Sequence, residues 1–214
     1  MELTRAMHER RSTRAFLPDE VPDEVVRRIL DEARWAPSWA NAQGWDVFVV
    51  KGEPLAQVKT VLAERFASGA EPVTDIRMPQ RGEWPERIQE RMTYRRPTPG
   101  AEPQPPQRPG LSDVYGAPCL LLFGVHEQLA VEYACFDLGL LVENVCLAAQ
   151  DAGLGTCIMA MVVRYADELH RLLPQADGRR FVIGLALGHA DRESELNRTD
   201  RERCPLGEIT TFIE

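Results

Sequence analysis

The chain has 214 residues, a formal net charge of -8, 44% hydrophobic and 27% charged residues. That size suits one packed core rather than two, and the composition is that of an ordinary globular protein. The acidic balance excludes a broad phosphate-binding surface for nucleic acid or anionic membrane, and no apolar run approaches the roughly 18 residues that a membrane span needs.

At the N-terminus "MELTRAMHER" interleaves charges with apolar residues and carries no secretory h-region, so a cytoplasmic protein is expected. Next comes "RRSTRAF", which sets Arg10, Arg11 and Arg14 around Ser12 and Thr13. Two readings stand: the solvated end of a helix, or an anion site where guanidinium groups converge and hydroxyl and backbone donors assist. Val25, Val26, Ile29, Leu30, Ala33 and Ala36 then recur at helical spacing behind Pro22, and predict an amphipathic helix. It ends in "APSWANAQGW", where Pro37, Ser38, Asn41 and Gly44 break the period, and the chain enters a strand at "WDVFVV". Leu55, Val58, Leu62 and Phe66 mark a second amphipathic helix.

From about 70 to 112 the composition changes. Nine of the 16 prolines fall between 70 and 110, which excludes a central strand or a long helix and indicates a surface insertion with polyproline character, a linker or a lid. Within it "WPERIQERMTY" can form a short helix presenting Trp84, Ile88 and Met92. Order returns with the buried strand "APCLLLFGV". The stretch "EQLAVEYACFDLGLLVENVCLAAQDAG" is apolar on nearly every side, as a central helix would be, and its Asp137, Glu143 and Asn144 need hydrogen-bond partners. A glycine turn and short strand ("GLGTCIMAMV"), a helix ("RYADELHRLL"), a buried strand ("RFVIGLALGHA") and a last strand ("EITTFIE") complete a pattern of helices with four or five strands.

Several chemistries lack their motifs. "GLGTCI" has Ile158 where a dinucleotide fingerprint needs its third glycine, and no GxxxxGK[ST] occurs. The five cysteines (119, 135, 146, 157 and 204) form no CxxC pair and the four histidines lack ligand spacing, so neither a disulfide framework nor a metal site is expected. Ser12, Ser38 and Cys157 have no histidine close in sequence. If the chain is an enzyme, a bound cofactor supplies its chemistry.

Five segments, "RRSTRAF", "APSWANAQGWDVFVV", "ENVCLAAQDAGLGTC", "IGLALGHAD" and "RERCPLGEI", resemble in order and spacing the landmarks of the FMN-dependent nitroreductase family. The resemblance covers most of the chain outside the proline-rich insertion, and implies one α+β domain over 1–214. Its sheet is mixed and mostly antiparallel, flanked by helices, in an intertwined homodimer with flavins at the subunit interface and the last strand crossing to the partner. It further implies that Arg10, Arg11 (through its backbone), Ser12 and Arg14 hold the FMN phosphate and ribityl chain, joined by Arg201 and Arg203. Asn41 is implied at the flavin ring edge. Pro37, Ser38 and Trp39 would form a neighbouring wall, and the backbone N–H groups of Ala160 and Met161 would face flavin N5 and O4. This chain has Gly44 where the family commonly has proline, which is expected to loosen the loop and leaves the contribution of Gln43 open.

The implied activity is ping-pong transfer of two electrons from NADH or NADPH to a nitroaromatic, quinone or similar conjugated acceptor. The flavin carries the hydride, so no catalytic side chain is expected, and Trp84, Met92 and Tyr94 are candidates for a lid over the ring. Dehalogenation, flavin fragmentation, azoline oxidation and FMN binding without turnover are the alternatives within the same fold. A nucleic-acid module built on the arginine cluster would need a basic face interleaved with aromatics, which the sequence lacks.

Overall fold

The computed structural model describes residues 1–92, 110–198 and 201–214. Six helices and four strands alternate along it: α1 (Leu3–Glu9), α2 (Asp23–Ala33), β1 (Trp45–Lys51), α3 (Gly52–Ala67), α4 (Glu86–Arg91), β2 (Cys119–His126), α5 (Val131–Asp151), β3 (Gly155–Met159), α6 (Ala166–Leu172) and β4 (Arg179–Gly188). Each follows from its local sequence. Pro22 occupies the cap position of α2, Asp23 and Glu24 complement the dipole in the first turn, and Val26, Ile29 and Ala33 form the buried stripe. In α5 the buried positions Ala134, Leu138, Leu141, Val142, Val145 and Ala149 keep three- and four-residue spacing over 21 residues. That helix stops at Gly153, whose φ of +76° is the left-handed conformation that glycine adopts at low cost, and Leu154 N–H closes back on Ala149 O at 2.9 Å.

The strands form one antiparallel sheet in the order β1-β2-β4-β3. Alternation along β2 assigns its two faces: Leu121, Phe123 and Val125 pack with α2 and α5, whereas Leu120 and Leu122 pack with α3 and α6. Both faces are therefore covered, which is why "CLLLFGV" reads as a continuous apolar run. Burial of each such leucine or phenylalanine contributes about 1.5–3 kcal/mol. Cys119 and Cys146 lie in this core, and burial pushes their thiols up to about 12 and about 11.

The polar residues of α5 find the partners they need. Asp137 Oδ2 accepts the Trp39 N–H at 2.9 Å, Asn144 Nδ2 donates to Ala33 O at 3.3 Å, and Glu143 faces Arg10 Nε at 3.4 Å. The first leg of the insertion is pinned as well. Val73 exchanges backbone hydrogen bonds with Arg164 and Ala166 (3.0 and 2.8 Å), while Asp75 Oδ2 accepts the Phe181 N–H at 2.7 Å and meets His170 Nε2 at 2.9 Å. The expected polyproline stretch and Tyr94 lie outside the described residues.

Two expectations are corrected. Residues 208–214, expected as a strand, follow a short 3₁₀ turn at Leu206–Glu208 and form no strand, with Phe212 and Ile213 83% and 94% exposed. "EITTFIE" has the alternation of a strand, but a strand needs a neighbour's N–H and C=O groups, and this segment has no such neighbour among the described residues. The strand expected through "AMV" ends at Met159, and Ala160–Arg164 form a 3₁₀ turn instead.

Candidate functional site

The arginine-rich segment leaves α1 and runs extended beside β3. Ser12 bridges Thr156, and the Thr13 N–H donates to Thr156 O at 2.8 Å. Farther on, Leu17 N–H donates to His189 O at 2.8 Å and Asp191 N–H to Ala15 O at 3.0 Å, so the segment is clamped between β3 and the end of β4. This approach leaves no room at Gly155: a Cβ there would lie 2.5 Å from Thr13 Oγ1 and 3.0 Å from Thr13 Cβ. Thr13 is buried and β-branched, so it cannot swing aside cheaply. Gly155→Ala is accordingly expected to lower the melting temperature by about 2–10 °C, read by differential scanning fluorimetry.

The other chain end returns to the same place. Arg201 Nη2 donates to Met7 O (2.8 Å) and His8 O (2.6 Å) at the C-terminal end of α1, immediately before Arg10. Burial lowers the pKa of the Arg201 guanidinium, and the charges of Arg10, Arg203 and Arg11 lower it further, while Glu143 acts in the opposite sense. Four arginines thus share one field with a single acidic group acting on Arg201 against them. Such a cluster is complementary to a polyanion that supplies several charge-assisted acceptors. Arg14 joins at its edge, its Nη1 donating to Ser12 O at 3.3 Å.

One residue that the sequence reading missed holds this geometry. Asn197 Oδ1 accepts the Arg14 N–H at 2.6 Å, and its Nδ2 donates to Ala15 O and Asp191 O, both at 2.8 Å. No periodicity or motif marks it, because an amide in a loop carries no sequence signature.

A second wall comes from the Pro37–Gln43 loop. Ala40, Asn41 and Gln43 have φ of 49°, 59° and 48°. Left-handed backbone is tolerated by asparagine but costs an alanine or glutamine about 1 kcal/mol or more, so the surrounding bonds must impose it. Besides the Asp137 contact, Gln43 N–H donates to Ser38 Oγ at 2.9 Å and Gln43 Nε2 to Asn41 O at 3.0 Å. The expected loosening at Gly44 is thus offset by side-chain bonds within the loop. Gly44 also makes room for Leu129, whose Cδ1 lies 2.6 Å from where a Cβ would sit.

This loop borders two adjoining cavities of about 590 and 360 Å³, which share Trp39, Tyr133 and Asp137. Pro37 and Ser38 line the larger. Six residues along α5, about 9 Å, separate Asp137 beneath the loop from Glu143 beside Arg10. Ala160 and Met161 open the 3₁₀ turn after β3, about 13 Å along the strand from the Ser12–Thr156 bridge. First-turn N–H groups have no acceptor within their own helix, so these two are available as donors from the backbone pattern. The structure therefore gathers Arg10, Arg11, Ser12, Arg14, Arg201 and Arg203 at one end, with Pro37, Ser38, Trp39, Asn41 and Gln43 on a separate wall. Trp84 and Met92 flank α4 and line neither cavity. That helix is instead tied to the C-terminal segment by Arg91, which donates to Glu208 O at 3.0 Å.

The chain is similar to chloronitrobenzene nitroreductase from Comamonas testosteroni, at 28% identity over 97% of this chain and 95% of the relative. It is similar to 4-nitrobenzoate reductase from Pseudomonas putida, at 29% identity over 95% of this chain and 92% of that one. Among solved structures, the FMN-dependent nitroreductase NfnB from Mycobacterium smegmatis, in complex with NADPH, superposes with a TM-score of 0.86 at 27% identity, covering 99% of this chain and 97% of that chain. The nitroreductase family model matches residues 7–189, and on that span the chain belongs to the nitroreductase family.

Proposed function

We propose that this chain binds FMN in the arginine cradle and is an NAD(P)H-dependent oxidoreductase that reduces nitroaromatic, quinone or similar conjugated acceptors in a ping-pong cycle. The observation that carries the reading is the convergence of Arg10, Arg11, Arg201 and Arg203 from the two ends of the chain. A phosphate dianion loses its hydration on binding and needs several charge-assisted donors in return, which this cluster supplies. Bound FMN would supply the two-electron redox chemistry between the nicotinamide and the acceptor.

The protein's part is to bind and orient. Arg10, Arg201 and Arg203 with Ser12 would hold the phosphate, and Arg14 at the edge of the cluster would add a positive charge that favours the reduced, anionic cofactor. The N–H groups of Ala160 and Met161 hold the polar ring edge on one side. Asn41 holds it on the other, and Pro37, Ser38 and Trp39 shield the ring from water. These walls are completed by a second copy in a homodimer. The exposed Phe136 on α5, and Phe212 and Ile213 at the C-terminus, support this, since a monomer would leave them in water.

The test is the visible spectrum of the purified protein. A yellow protein that releases FMN on heating and bleaches anaerobically with NADH or NADPH is the expected result. A colourless protein that takes up no added FMN would overturn the reading.

A further inference from the structure

An acidic side chain stands at the arginine cradle. Glu143 Oε1 lies 3.4 Å from Arg10 Nε, yet that nitrogen is buried and has no hydrogen-bond partner. The carboxylate therefore offers Arg10 an opposite charge without closing a hydrogen bond on it. Cys146, three residues farther along α5, shows which way this face of the helix looks. Burial raises the pKa of its thiol, a hydrogen bond with Thr156 lowers it, and of the nearby charges Glu143 raises it and Arg10 lowers it. Thr156 is the residue that Ser12 bridges, so Glu143 sits on the side of α5 that meets the phosphate-binding segment. Its charge reaches the other chain end too, where it favours the protonated Arg201 against burial and against Arg10, Arg203 and Arg11.

We infer that Glu143 is the resident counter-ion of the cradle: it offsets the repulsion among the arginines when the site is empty, and it opposes the phosphate and so limits its affinity when the site is filled. The inference rests on the flavin reading above and deepens it by naming the residue that limits the hold on the cofactor. Glu143 acts through Arg10 and Arg201, and is therefore a positioning residue. Clustered guanidinium groups repel one another, so an empty cradle costs the fold stability, and a carboxylate 3.4 Å away removes part of that cost. Because Arg10 Nε has no hydrogen bond, it stays available to a stronger acceptor. A phosphate dianion that arrives there meets the same carboxylate as a like charge. The Glu143 side chain is 47% exposed, so water and salt screen this repulsion and hold its effect to a few-fold.

The test is Glu143→Gln, which keeps the shape of the side chain and removes its charge. FMN-free protein is titrated with FMN by flavin fluorescence at low ionic strength and again at about 1 M salt, where screening acts within roughly 3 Å. Glu143→Gln is expected to bind FMN about three- to tenfold more tightly than wild type at low salt, with the gap closing at high salt. Its melting temperature without FMN is expected to fall. Glu143→Asp keeps the charge and is expected to stay closer to wild type in both measurements. A residue serving only the fold would lower affinity and stability together. Equal or weaker FMN binding by Glu143→Gln at low salt, a gap that high salt leaves intact, or a melting temperature that does not fall would overturn the counter-ion role while the flavin reading stands. If wild type takes up no FMN, the flavin reading falls, and the counter-ion role is then read from melting temperatures with added inorganic phosphate. A larger rise for Glu143→Gln than for wild type upholds it, and an equal or smaller rise overturns it.

Discussion

Arg10→Ala and Arg203→Ala are each expected to weaken FMN binding about 10- to 100-fold, the loss of one or two charge-assisted hydrogen bonds at about 1.5–3 kcal/mol. Equilibrium dialysis with flavin fluorescence measures it. The sharper signature lies in the FMN-free protein. Arg10 and Arg203 both depress the pKa of the partly exposed Arg201 guanidinium, so removing either relieves repulsion when no anion is present. The apo melting temperature should therefore stay level or rise, while the temperature with FMN bound falls. A residue serving only the fold would lower both. Arg203 is the cleaner probe, because it is exposed, whereas Arg10 also faces Glu143 at 3.4 Å. Wild-type affinity in both variants would sink the cradle.

Asn197→Ala should act on stability and on the cofactor together. Its amide satisfies the Arg14 N–H and the carbonyls of Ala15 and Asp191, and alanine leaves all three without that partner. At about 1 kcal/mol or more for each partly buried group, the expected destabilisation is roughly 2–4 kcal/mol, a fall of about 5–15 °C in melting temperature. FMN affinity should fall in parallel, because Arg14 loses its backbone anchor. Asn197→Asp keeps an acceptor for Arg14 but loses both donated bonds, and should fall between alanine and wild type in urea melts. A stability equal to wild type in the alanine variant would show that water replaces the amide without cost.

Local pattern carries most of the fold. Val26, Ile29 and Ala33 keep helical spacing because one face of α2 packs on α5, and "CLLLFGV" is uniformly apolar because β2 is covered on both faces. Such burial is written residue by residue, so periodicity reveals it. The order β1-β2-β4-β3 is not written that way, since it depends on pairings between distant strands. The tail "EITTFIE" shows the limit from the other side, because alternation by itself does not supply the neighbouring backbone groups that a strand requires. At the candidate site, Arg10, Arg11 and Arg14 are legible as a local cluster of cations in an acidic chain, whereas Arg201 and Arg203 are legible only through the resemblance to the family. Asn197 is not legible, and neither is the steric demand at Gly155, which exists only once Thr13 is laid against it. The role of Asp137 is legible in part, since a carboxylate within an apolar helix announces a need for a donor without identifying Trp39 as its source.

Arg201 and the carbonyl of Met7 that it reaches are 194 positions apart, so the cradle is among the longest loops this chain closes. At about 5–20 residues per second, synthesis separates its two halves by roughly 10–40 s. For that interval Arg10, Arg11 and Arg14 are made and exposed without the segment that completes their site. If the cradle holds FMN as proposed, the cofactor would gain its full grip only after the segment carrying Arg201 has folded back, so loading would follow synthesis.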